Sequence, residues 1–350
     1  MKIDGRGGPG AASGLRPISD VVCALGEGPT WDADAGVVRW VDIDRGVLYE
    51  ASIGAEDEAE GVVGPTRTVL TVDGTLGAAV HAEGGGFLLA TSRQLEHRDA
   101  SGVTVATWGL IPAGQQRRLN DGACDPDGRY VVGSLSLESL SGGSSSGGSS
   151  SDTDSSGSGA SAGEQLWRLE HDGTVTVLEE GLSLSNGIAW SPDGRVMYHV
   201  DTMRHSVSAR SYDPFGGDAV LASVLIDTGQ AFPDGLAVDS AGDLWIAMWG
   251  EGEIRRFAPD GTPRDALRTG VPHSTSCAFV GPELDLLVVT GAAGAAAPPH
   301  GNGDAAPPHG NGGAVDGRLA AVDGQLLAIH APVRGLPTRA WRPCANGSQQ

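Results

Sequence analysis

Residues 185–201 read SNGIAWSPDGRVMYHVD, which is two short apolar runs joined by the turn sequence Ser-Pro-Asp-Gly. The runs have the length of strands and are rich in Ile, Trp, Val and Tyr, and Pro and Asp followed by Gly suit a tight turn. The same arrangement recurs at 120–135, where NDGACDPDGRYVVGSL carries a DPDG turn. The pattern therefore predicts antiparallel hairpins of short strands.

This unit occurs six times along the chain. It opens at Glu27, Ala78, Asn120, Asn186, Asp234 and Ser276. The steps between openings are 51, 42, 66, 48 and 42 residues, and the longest step contains a Ser- and Gly-rich insertion of 23 residues. Units of this size match one four-stranded propeller blade. We expect an all-β fold, a six-bladed β-propeller. The alternative is a pair of β-sandwiches, which is less favoured because that architecture does not require a sixfold repeat.

The domain organisation follows from composition. Residues 18–344 are expected to form a single propeller, preceded by a flexible extension (1–17) and followed by a short tail (345–350). The Ser/Gly insertion at 141–163 offers almost nothing to bury and is expected to be disordered. The segment 292–314 contains APPHGNG twice and is expected to be a low-complexity Pro/Gly/His loop.

Charge and cysteine content exclude several classes of protein. The 44 acidic residues outnumber 23 basic ones, so the net charge of −21 disfavours nucleic acid as a partner. The single lysine is Lys2, which excludes a Walker-type phosphate loop. The four cysteines lie far apart and form no CxxC pair, which argues against a zinc–cysteine site and a small disulfide-rich scaffold. No apolar run approaches the length of a membrane span, which argues against a transmembrane helix. We expect a cytoplasmic protein that binds no membrane and is a monomer or weak oligomer.

The phase of the repeat predicts a metal site. The innermost strands of a propeller surround a central channel. Residues at the same position within successive repeat units, here called the same phase, therefore approach one another. Three of the six opening residues, Glu27, Asn186 and Asp234, offer oxygen ligands of the kind that hard divalent cations prefer. The alternative is that each residue only forms a turn, since Asn-Gly and Asp-Gly are strong turn formers.

Several of these segments also carry a family resemblance. They are LGEGPTW (25–31), RLNDGACDPDGRYVVGSL (118–135), SNGIAWSPDGRVMYHVD (185–201), PDGLAVDSAGDLWIAMWGEGEIRRFAPDG (233–261) and TSCAFVGPELDLLVVT (275–290). In this order they resemble the gluconolactonase / regucalcin-like (senescence-marker-protein-30-like) sugar lactonase family.

The resemblance implies a six-bladed propeller that binds one divalent cation, with Ca²⁺ favoured over Mg²⁺, Mn²⁺ and Zn²⁺, and acts on a small sugar lactone. The family's metal ligands fall on Glu27, Asn186 and Asp234, the residues that phase also selects. Its substrate contacts fall on Arg118, Asn120 and Glu138.

We therefore expect metal-dependent hydrolysis of an aldonolactone to the aldonic acid. The cation would polarise the carbonyl, and Asp234 would activate water as the catalytic base. Two alternatives remain: a phosphotriesterase- or arylesterase-like propeller hydrolase, and a non-catalytic calcium-binding propeller.

Overall fold

The computed structural model describes residues 14–53, 64–140, 163–215, 222–294 and 323–343. The predicted Ser/Gly insertion (except Gly163), most of the Pro/Gly/His loop, residues 1–13 and the C-terminal tail lie outside the described residues. Within the described ranges, 24 strands form six four-stranded antiparallel sheets. The prediction of a six-bladed β-propeller is confirmed, and the sandwich alternative is wrong.

The first three blades follow one another along the chain. Blade 1 contains β2 (Gly26–Asp32), β3 (Val37–Asp42), β4 (Val47–Ser52) and β5 (Arg67–Thr71). Blade 2 contains β6 (Leu76–His81), β7 (Phe87–Thr91), β8 (Gln94–Arg98) and β9 (Thr104–Gly109). Blade 3 contains β10 (Arg117–Cys124), β11 (Tyr130–Ser136), β12 (Glu164–Leu169) and β13 (Val175–Leu182).

The last three blades repeat the arrangement, except that the sixth takes a strand from the N-terminus. Blade 4 contains β14 (Ser185–Trp190), β15 (Val196–Asp201), β16 (Ser206–Ser211) and β17 (Ser223–Asp227). Blade 5 contains β18 (Phe232–Val238), β19 (Leu244–Trp249), β20 (Glu253–Phe257) and β21 (Pro263–Arg268). Blade 6 contains β22 (Ser274–Val280), β23 (Leu286–Gly291), β24 (Leu327–His330) and β1 (Arg16–Pro17).

Helical structure is minor in the described residues. A four-residue helix, α1 (Leu137–Leu140), follows β11, and a 3₁₀ turn (Thr202–Arg204) follows β15. Neither is long and apolar enough to cross a membrane, and the described part of the chain contains no helix that is.

The ring of blades is closed at two levels. The first strand of each blade contacts the first strand of the next, and β22 of blade 6 contacts β2 of blade 1. At the outer edge, Arg16 pairs with Ala328 and Pro17 with Leu327, so both ends of the chain contribute to blade 6. The propeller therefore begins two residues before the boundary that the sequence indicated at residue 18.

The core consists of apolar side chains between neighbouring sheets. Between blades 2 and 3, for example, Leu88, Leu119 and Tyr130 are fully buried in one cluster, and Val200 and Ile246 occupy the equivalent cluster between blades 4 and 5. Each blade buries both faces against its neighbours, which explains strands that are apolar at nearly every position. The channel at the centre is left to the residues of the inner strands.

Every inner strand contains a β-bulge near its beginning. The pairing of the inner strand with the second strand shifts by one residue around Glu27–Thr30, Leu76–Ala78, Leu119–Gly122, Ser185–Ile188, Pro233–Leu236 and Ser274–Cys277. A bulge inserts one unpaired residue and re-aims the neighbouring side chains. The Asn-Gly and Asp-Gly pairs at 186–187 and 234–235 therefore lie in bulges inside strands, not in hairpin turns.

The bulges bring neighbouring inner strands unusually close. A Cβ atom built on Gly187 would lie 2.6 Å from the carbonyl oxygen of Asp234 and 2.7 Å from the amide nitrogen of Leu236. Only glycine fits such a contact, because the opposing atoms belong to the backbone and cannot move aside. The glycine that follows Asn186 thus permits blade 4 to approach blade 5 at the level of the predicted ligands.

The register corrects three of the six phase positions. Aligned on the bulges, the residues equivalent to Asn186 are Asn120 and Asp234, as predicted, but Gly28 in blade 1, Gly77 in blade 2 and Thr275 in blade 6. Glu27 pairs with Val41 and lies one residue before its bulge. The sequence indicated Ala78 and Ser276, each one residue too late. The error arose because neither blade carries the polar residue and glycine that mark the bulge elsewhere.

A C-terminal strap, residues 331–343, crosses the face of the propeller that contains the turns between first and second strands. It exchanges backbone hydrogen bonds with Leu284 and Asp285 of blade 6, Ser240 of blade 5, and His81 and Glu83 of blade 2, and Arg342 binds Gly128 of blade 3. Trp31 of blade 1 donates its backbone N–H to the hydroxyl of Thr338 at 3.2 Å. The strap thus contacts five blades, on the face away from the bulges.

Trp341 anchors this strap. Its side chain is 1 % exposed and packs edge-on against His97 and Trp108 of blade 2, with ring centroids 4.7 and 6.1 Å away. Burying a tryptophan in this way removes a large apolar area from water. The strap therefore belongs to the folded core and is not a loose tail.

We predict that Trp341→Ala lowers the free energy of unfolding by about 3–5 kcal/mol, because the cavity it leaves lies between rigid strands. Urea unfolding followed by tryptophan fluorescence measures the change. The control is Arg339→Ala, two residues away and exposed, which should change stability by less than about 0.5 kcal/mol. Equal stability of Trp341→Ala and wild type would show that the strap does not support the ring.

Candidate metal centre and active site

Three predicted ligands lie on three inner strands. Glu27 is the second residue of β2, Asn186 the second of β14 and Asp234 the third of β18. Their relative exposures are 6 %, 6 % and 5 %, although all three residues are polar. The charge of Glu27 acts on the carboxyl group of Asp234, so these two buried acids lie near one another.

The other three inner positions do not offer a ligand oxygen. Gly77 has no side chain, and a Cβ there would lie 2.6 Å from the carbonyl oxygen of Asn120. The hydroxyl of Thr275 lies 2.5 Å from the carbonyl oxygen of Gly26 and 2.9 Å from the hydroxyl of Thr290, so it is hydrogen-bonded within the protein. Asn120 turns its amide nitrogen to Asn186, at 3.0 Å. The residues equivalent to or beside Asn186 that keep a side-chain oxygen for a cation are Glu27, Asn186 itself and Asp234, and the carboxyl group of Asp121 lies near them.

The carboxylate of Asp234 is not satisfied by the protein. Its Oδ1 atom is buried and has no hydrogen-bond partner. Buried polar atoms are nearly always paired, so an unpaired carboxylate oxygen on the axis needs an explanation, and an ion is one of the usual ones. By contrast, Oε2 of Glu27 accepts a hydrogen bond from the backbone N–H of Gly28 at 3.0 Å.

Burial and mutual repulsion perturb the acids of this cluster. Burial, with the charge of Asp121 adding to it, raises the pKa of Glu27 to about 8. Burial raises the pKa of Asp121 to about 6. The pKa of Asp234 is raised well above its ordinary value by burial and by the charges of Glu27 and Asp121. Three carboxyl groups therefore share one buried space and disfavour one another's ionised forms.

Arg118 is the positively charged residue that acts on this cluster. It is 5 % exposed, and burial lowers the pKa of its guanidinium to about 10 although Asp44, Glu27 and Asp234 act to raise it. Burial is the main cause of the raised carboxyl pKa values, and the charge of Arg118, which lowers those of Glu27 and Asp234, does not offset it. The donor set fits a divalent cation: two carboxylates and one amide oxygen, all hard ligands, around a deficit of positive charge.

In the described ranges, no group of three His, Cys, Asp or Glu side chains is placed to hold a metal ion. The three ligands predicted from the sequence are not such a group, because Glu27 and Asp234 are combined with the amide of Asn186. Three protein ligands of this type leave coordination positions for water or substrate, as a catalytic site requires.

Two aspartates on second strands fix the loops that lead into the ligand strands. Asp42 accepts hydrogen bonds from the backbone N–H groups of Ala24 and Leu25, just before Glu27. Asp201 accepts hydrogen bonds from Ser183 and Leu184 at 2.9 and 3.0 Å, just before Asn186. Both carboxylates are buried and act on the backbone, so their role is to orient the strand entrance.

The predicted substrate contacts Arg118 and Asn120 lie on β10, beside the ligand cluster. Nη1 of Arg118 donates to Oδ1 of Asn120 at 2.6 Å and to the carbonyl oxygen of Leu119 at 3.0 Å. Asn120 in turn donates from Nδ2 to the carbonyl oxygen of Ser185 at 2.8 Å and to Oδ1 of Asn186 at 3.0 Å. Asn120 thus donates to the predicted ligand Asn186 and to the backbone of the residue just before it.

Glu138 lies apart from this buried set. It is the second residue of α1 and is exposed, and its backbone N–H donates to the hydroxyl of Ser136 at 3.3 Å. Ser136 pairs with Arg117 at the start of β10, which places α1 on the same face of the propeller as the ligand cluster. Glu138 therefore lies on the face from which a substrate would enter.

A cavity of about 380 Å³ lies farther along the channel. It shares Asp121 with the cluster, but its walls are mostly small apolar side chains such as Ala79, Ala123 and Ala237, and residues 336–339 of the strap border it. The cavity is therefore a mainly apolar space next to the buried acids, and Asp121 belongs to both. The strap and the cavity lie on the side opposite the expected entrance.

Sequence reasoning missed the residues that hold the ligands in place. Thr202 contacts Asn186, and the carbonyl of Pro233 contacts Thr202. No sequence pattern indicated this contact, because it depends on a 3₁₀ turn after β15 that the hairpin pattern does not reveal. The two loop-orienting aspartates did have a sequence signal. Asp42 and Asp201 each follow a valine at the end of a second strand, in blades 1 and 4.

Comparison with known proteins gives consistent relatives. The pentonolactonase XacC of Haloferax volcanii is 32 % identical over 294 residues, which cover 82 % of this chain and 88 % of that protein. The 6-deoxy-6-sulfogluconolactonase of Pseudomonas putida is 30 % identical over 269 residues, covering 76 % and 82 %. Among solved structures, the calcium-binding protein regucalcin of Agrobacterium tumefaciens superposes with a TM-score of 0.72 at 24 % identity, covering 95 % and 97 %.

The family model described as the SMP-30/gluconolactonase/LRE-like region matches residues 25–293, which contain β2 to β23 and all the residues of the cluster. Together with the relative that shares 32 % identity over most of both chains, this confirms the resemblance seen in the motifs. The chain belongs to the SMP-30/gluconolactonase/LRE-like family.

Proposed function

We propose that this protein hydrolyses a sugar lactone to the open-chain aldonic acid, with one divalent cation held by Glu27, Asn186 and Asp234. The observation that carries the proposal is the unsatisfied, buried carboxylate oxygen of Asp234 beside two further acids and a single arginine. Two relatives are named as lactonases of sugar-derived substrates, a pentonolactonase and a 6-deoxy-6-sulfogluconolactonase. Ca²⁺ is the proposed ion because hard oxygen ligands suit it and a structural relative is named as calcium-binding.

The reaction needs a base, a source of positive charge and a means of orienting the sugar. When bound, a divalent cation supplies Lewis-acid stabilisation of the charge that develops on the lactone carbonyl oxygen. Asp234 is the proposed base, since its Oδ1 is buried and has no hydrogen-bond partner in the protein. It accepts a proton from the attacking water, and the proton returns to the ring oxygen as the C–O bond breaks. Water is thus added across the ester bond.

Arg118 and Glu138 are the proposed substrate contacts. A guanidinium has five N–H donors, and the hydrogen bonds of Arg118 described above use Nη1 alone. Glu138 lies exposed on the entrance face and can accept hydrogen bonds from sugar hydroxyls. Asn120 contributes beside them, through the lone pair that its carbonyl oxygen retains. Such a polar set favours a polyhydroxylated substrate over the apolar esters of an arylesterase.

The cytoplasmic location and the monomeric or weakly associated state stay predictions. The three described cysteines, Cys23, Cys124 and Cys277, are buried and unpaired, which suits a reducing compartment.

We predict that the protein releases acid from D-glucono-δ-lactone or a pentonolactone and that EDTA abolishes the release. Adding back Ca²⁺ should restore it, because the acids of the cluster need a counter-charge. A pH indicator in weak buffer, corrected for spontaneous hydrolysis, follows the reaction. Cation binding without hydrolysis of any sugar lactone would favour a non-catalytic calcium-binding propeller, and hydrolysis unaffected by EDTA would contradict the metal.

We predict that Asp234→Asn lowers kcat by about 10²–10⁴-fold, because the variant keeps the shape of the side chain but loses the base. The matched control is Asp260→Asn. Asp260 also precedes a glycine in blade 5, but it is exposed in a turn, where its carboxylate accepts the backbone N–H of Thr262. The assay is initial-rate kinetics at saturating Ca²⁺. Near-normal kcat in Asp234→Asn would remove Asp234 from the chemistry.

We predict that Glu138→Gln raises the KM for the lactone several-fold and leaves kcat close to the wild-type value. The reason is that an exposed contact to sugar hydroxyls binds ground state and transition state alike. Steady-state kinetics on two lactones of different size separates the two constants. An unchanged KM would show that Glu138 does not reach the substrate.

A further inference from the structure

Thr202 lies between two of the proposed ligands without being one itself. It is the first residue of the 3₁₀ turn after β15 and is 7 % exposed. Its hydroxyl oxygen lies 3.0 Å from Nδ2 of Asn186 and 2.8 Å from the carbonyl oxygen of Pro233. Pro233 directly precedes Asp234, so this one hydroxyl connects the ligand of blade 4 to the ligand strand of blade 5.

The hydrogen bonds that meet at Thr202 have only one consistent direction. Arginine can only donate, so Asn120 must present Oδ1 to Arg118 and Nδ2 to Asn186. Asn186 therefore accepts through Oδ1 and donates through Nδ2.

The other end of the chain is fixed in the same way. The carbonyl of Pro233 can only accept, so the single hydrogen of the Thr202 hydroxyl is given to it. Thr202 is then left with lone pairs, and it must receive the hydrogen bond from Nδ2 of Asn186. An obligate donor at one end and an obligate acceptor at the other thus set the orientation of the amide between them.

This orientation decides what Asn186 offers to a cation. With Nδ2 bound by Thr202, the oxygen of the amide faces Nδ2 of Asn120 at 3.0 Å, and it keeps a second lone pair for a cation. A flipped amide would present NH₂ hydrogens, which repel a cation. The orientation of an Asn amide is assigned from its hydrogen-bond partners, because its oxygen and nitrogen atoms are hard to distinguish in electron density. For Asn186 the partners permit only one orientation.

The position of the Thr202 hydroxyl is itself set by the backbone. The Thr202 N–H donates to the carbonyl of Leu184 at 3.0 Å, and Asp201 holds the N–H of Leu184 from the other side. Thr202 is therefore tied to the loop that enters β14, where Asn186 lies. The hydroxyl is held without contributing to the apolar core.

We propose that Thr202 is a positioning residue for the cation: its hydroxyl fixes the amide of Asn186 with the oxygen toward the axis and ties it to the strand of Asp234. This inference rests on the proposed function, since it requires that Asn186 is a ligand. Partners that orient metal ligands typically contribute 10–100-fold to metal affinity.

The experiment measures Ca²⁺ binding directly, by isothermal titration calorimetry of the EDTA-treated, full-length protein. Thr202→Val keeps the volume of the side chain but removes the hydroxyl, and Thr202→Ser keeps the hydroxyl. Thr91→Val is the matched control, because Thr91 is another buried threonine at the end of a second strand, whose hydroxyl donates to the carbonyl of Gln94 at 2.9 Å within blade 2.

We expect Thr202→Val to raise the Kd for Ca²⁺ by about 10–100-fold, and Thr202→Ser and Thr91→Val to stay within about 3-fold of wild type. At saturating Ca²⁺ the KM of Thr202→Val for the lactone should match that of wild type, since Thr202 does not reach the substrate. If Thr202→Val does not fold, Thr202→Ala removes the same hydroxyl and is judged by the same values.

Two results would overturn the inference while leaving the proposed function in place. One is wild-type Ca²⁺ affinity in Thr202→Val. The other is equal weakening in Thr91→Val and Thr202→Val, which would show a general effect of removing buried hydroxyls. A wild-type protein that binds no Ca²⁺ would instead overturn the proposed function, and this inference with it.

Discussion

The structure depends on a concentration of negative charge in a place that water hardly reaches. Glu27, Asp121 and Asp234 are buried on the inner strands, where their charges act on one another and Arg118 is a nearby counter-charge. Their raised pKa values record the cost, because ionised carboxylates are poorly stabilised in such a space. A divalent cation would relieve this repulsion, and this is the physical reason for proposing that the cluster binds one.

The fold places this charge through one repeated device. Each inner strand has a bulge near its beginning, where the register shifts by one residue. The residues at or directly beside these bulges differ in type. Glu27, Asn186 and Asp234 carry side-chain oxygen atoms, Gly77 has no side chain, and Thr275 and Asn120 are hydrogen-bonded within the protein. The asymmetry of the site therefore arises from the residue type at each blade and not from any departure from the sixfold architecture.

Much of this arrangement was predictable from the sequence. The hairpin repeat gave the number of blades, and the polar residue followed by glycine marked Asn186 and Asp234, because only glycine permits the close approach at the bulge. The pattern failed at Ala78 and Ser276, where that marker is missing and the true positions lie one residue earlier. The strap and the contact of Thr202 with Pro233 could not be predicted, since both join segments that are distant along the chain and carry no periodic signal.

The account is tested most directly by a crystal structure of the protein soaked with Mn²⁺ in place of Ca²⁺, using anomalous scattering to locate the ion. The account predicts one strong anomalous peak on the propeller axis, with oxygens of Glu27, Asn186 and Asp234 at coordination distances of about 2.1–2.6 Å. A peak bound elsewhere, or an axis that stays empty at saturating Mn²⁺, would contradict it.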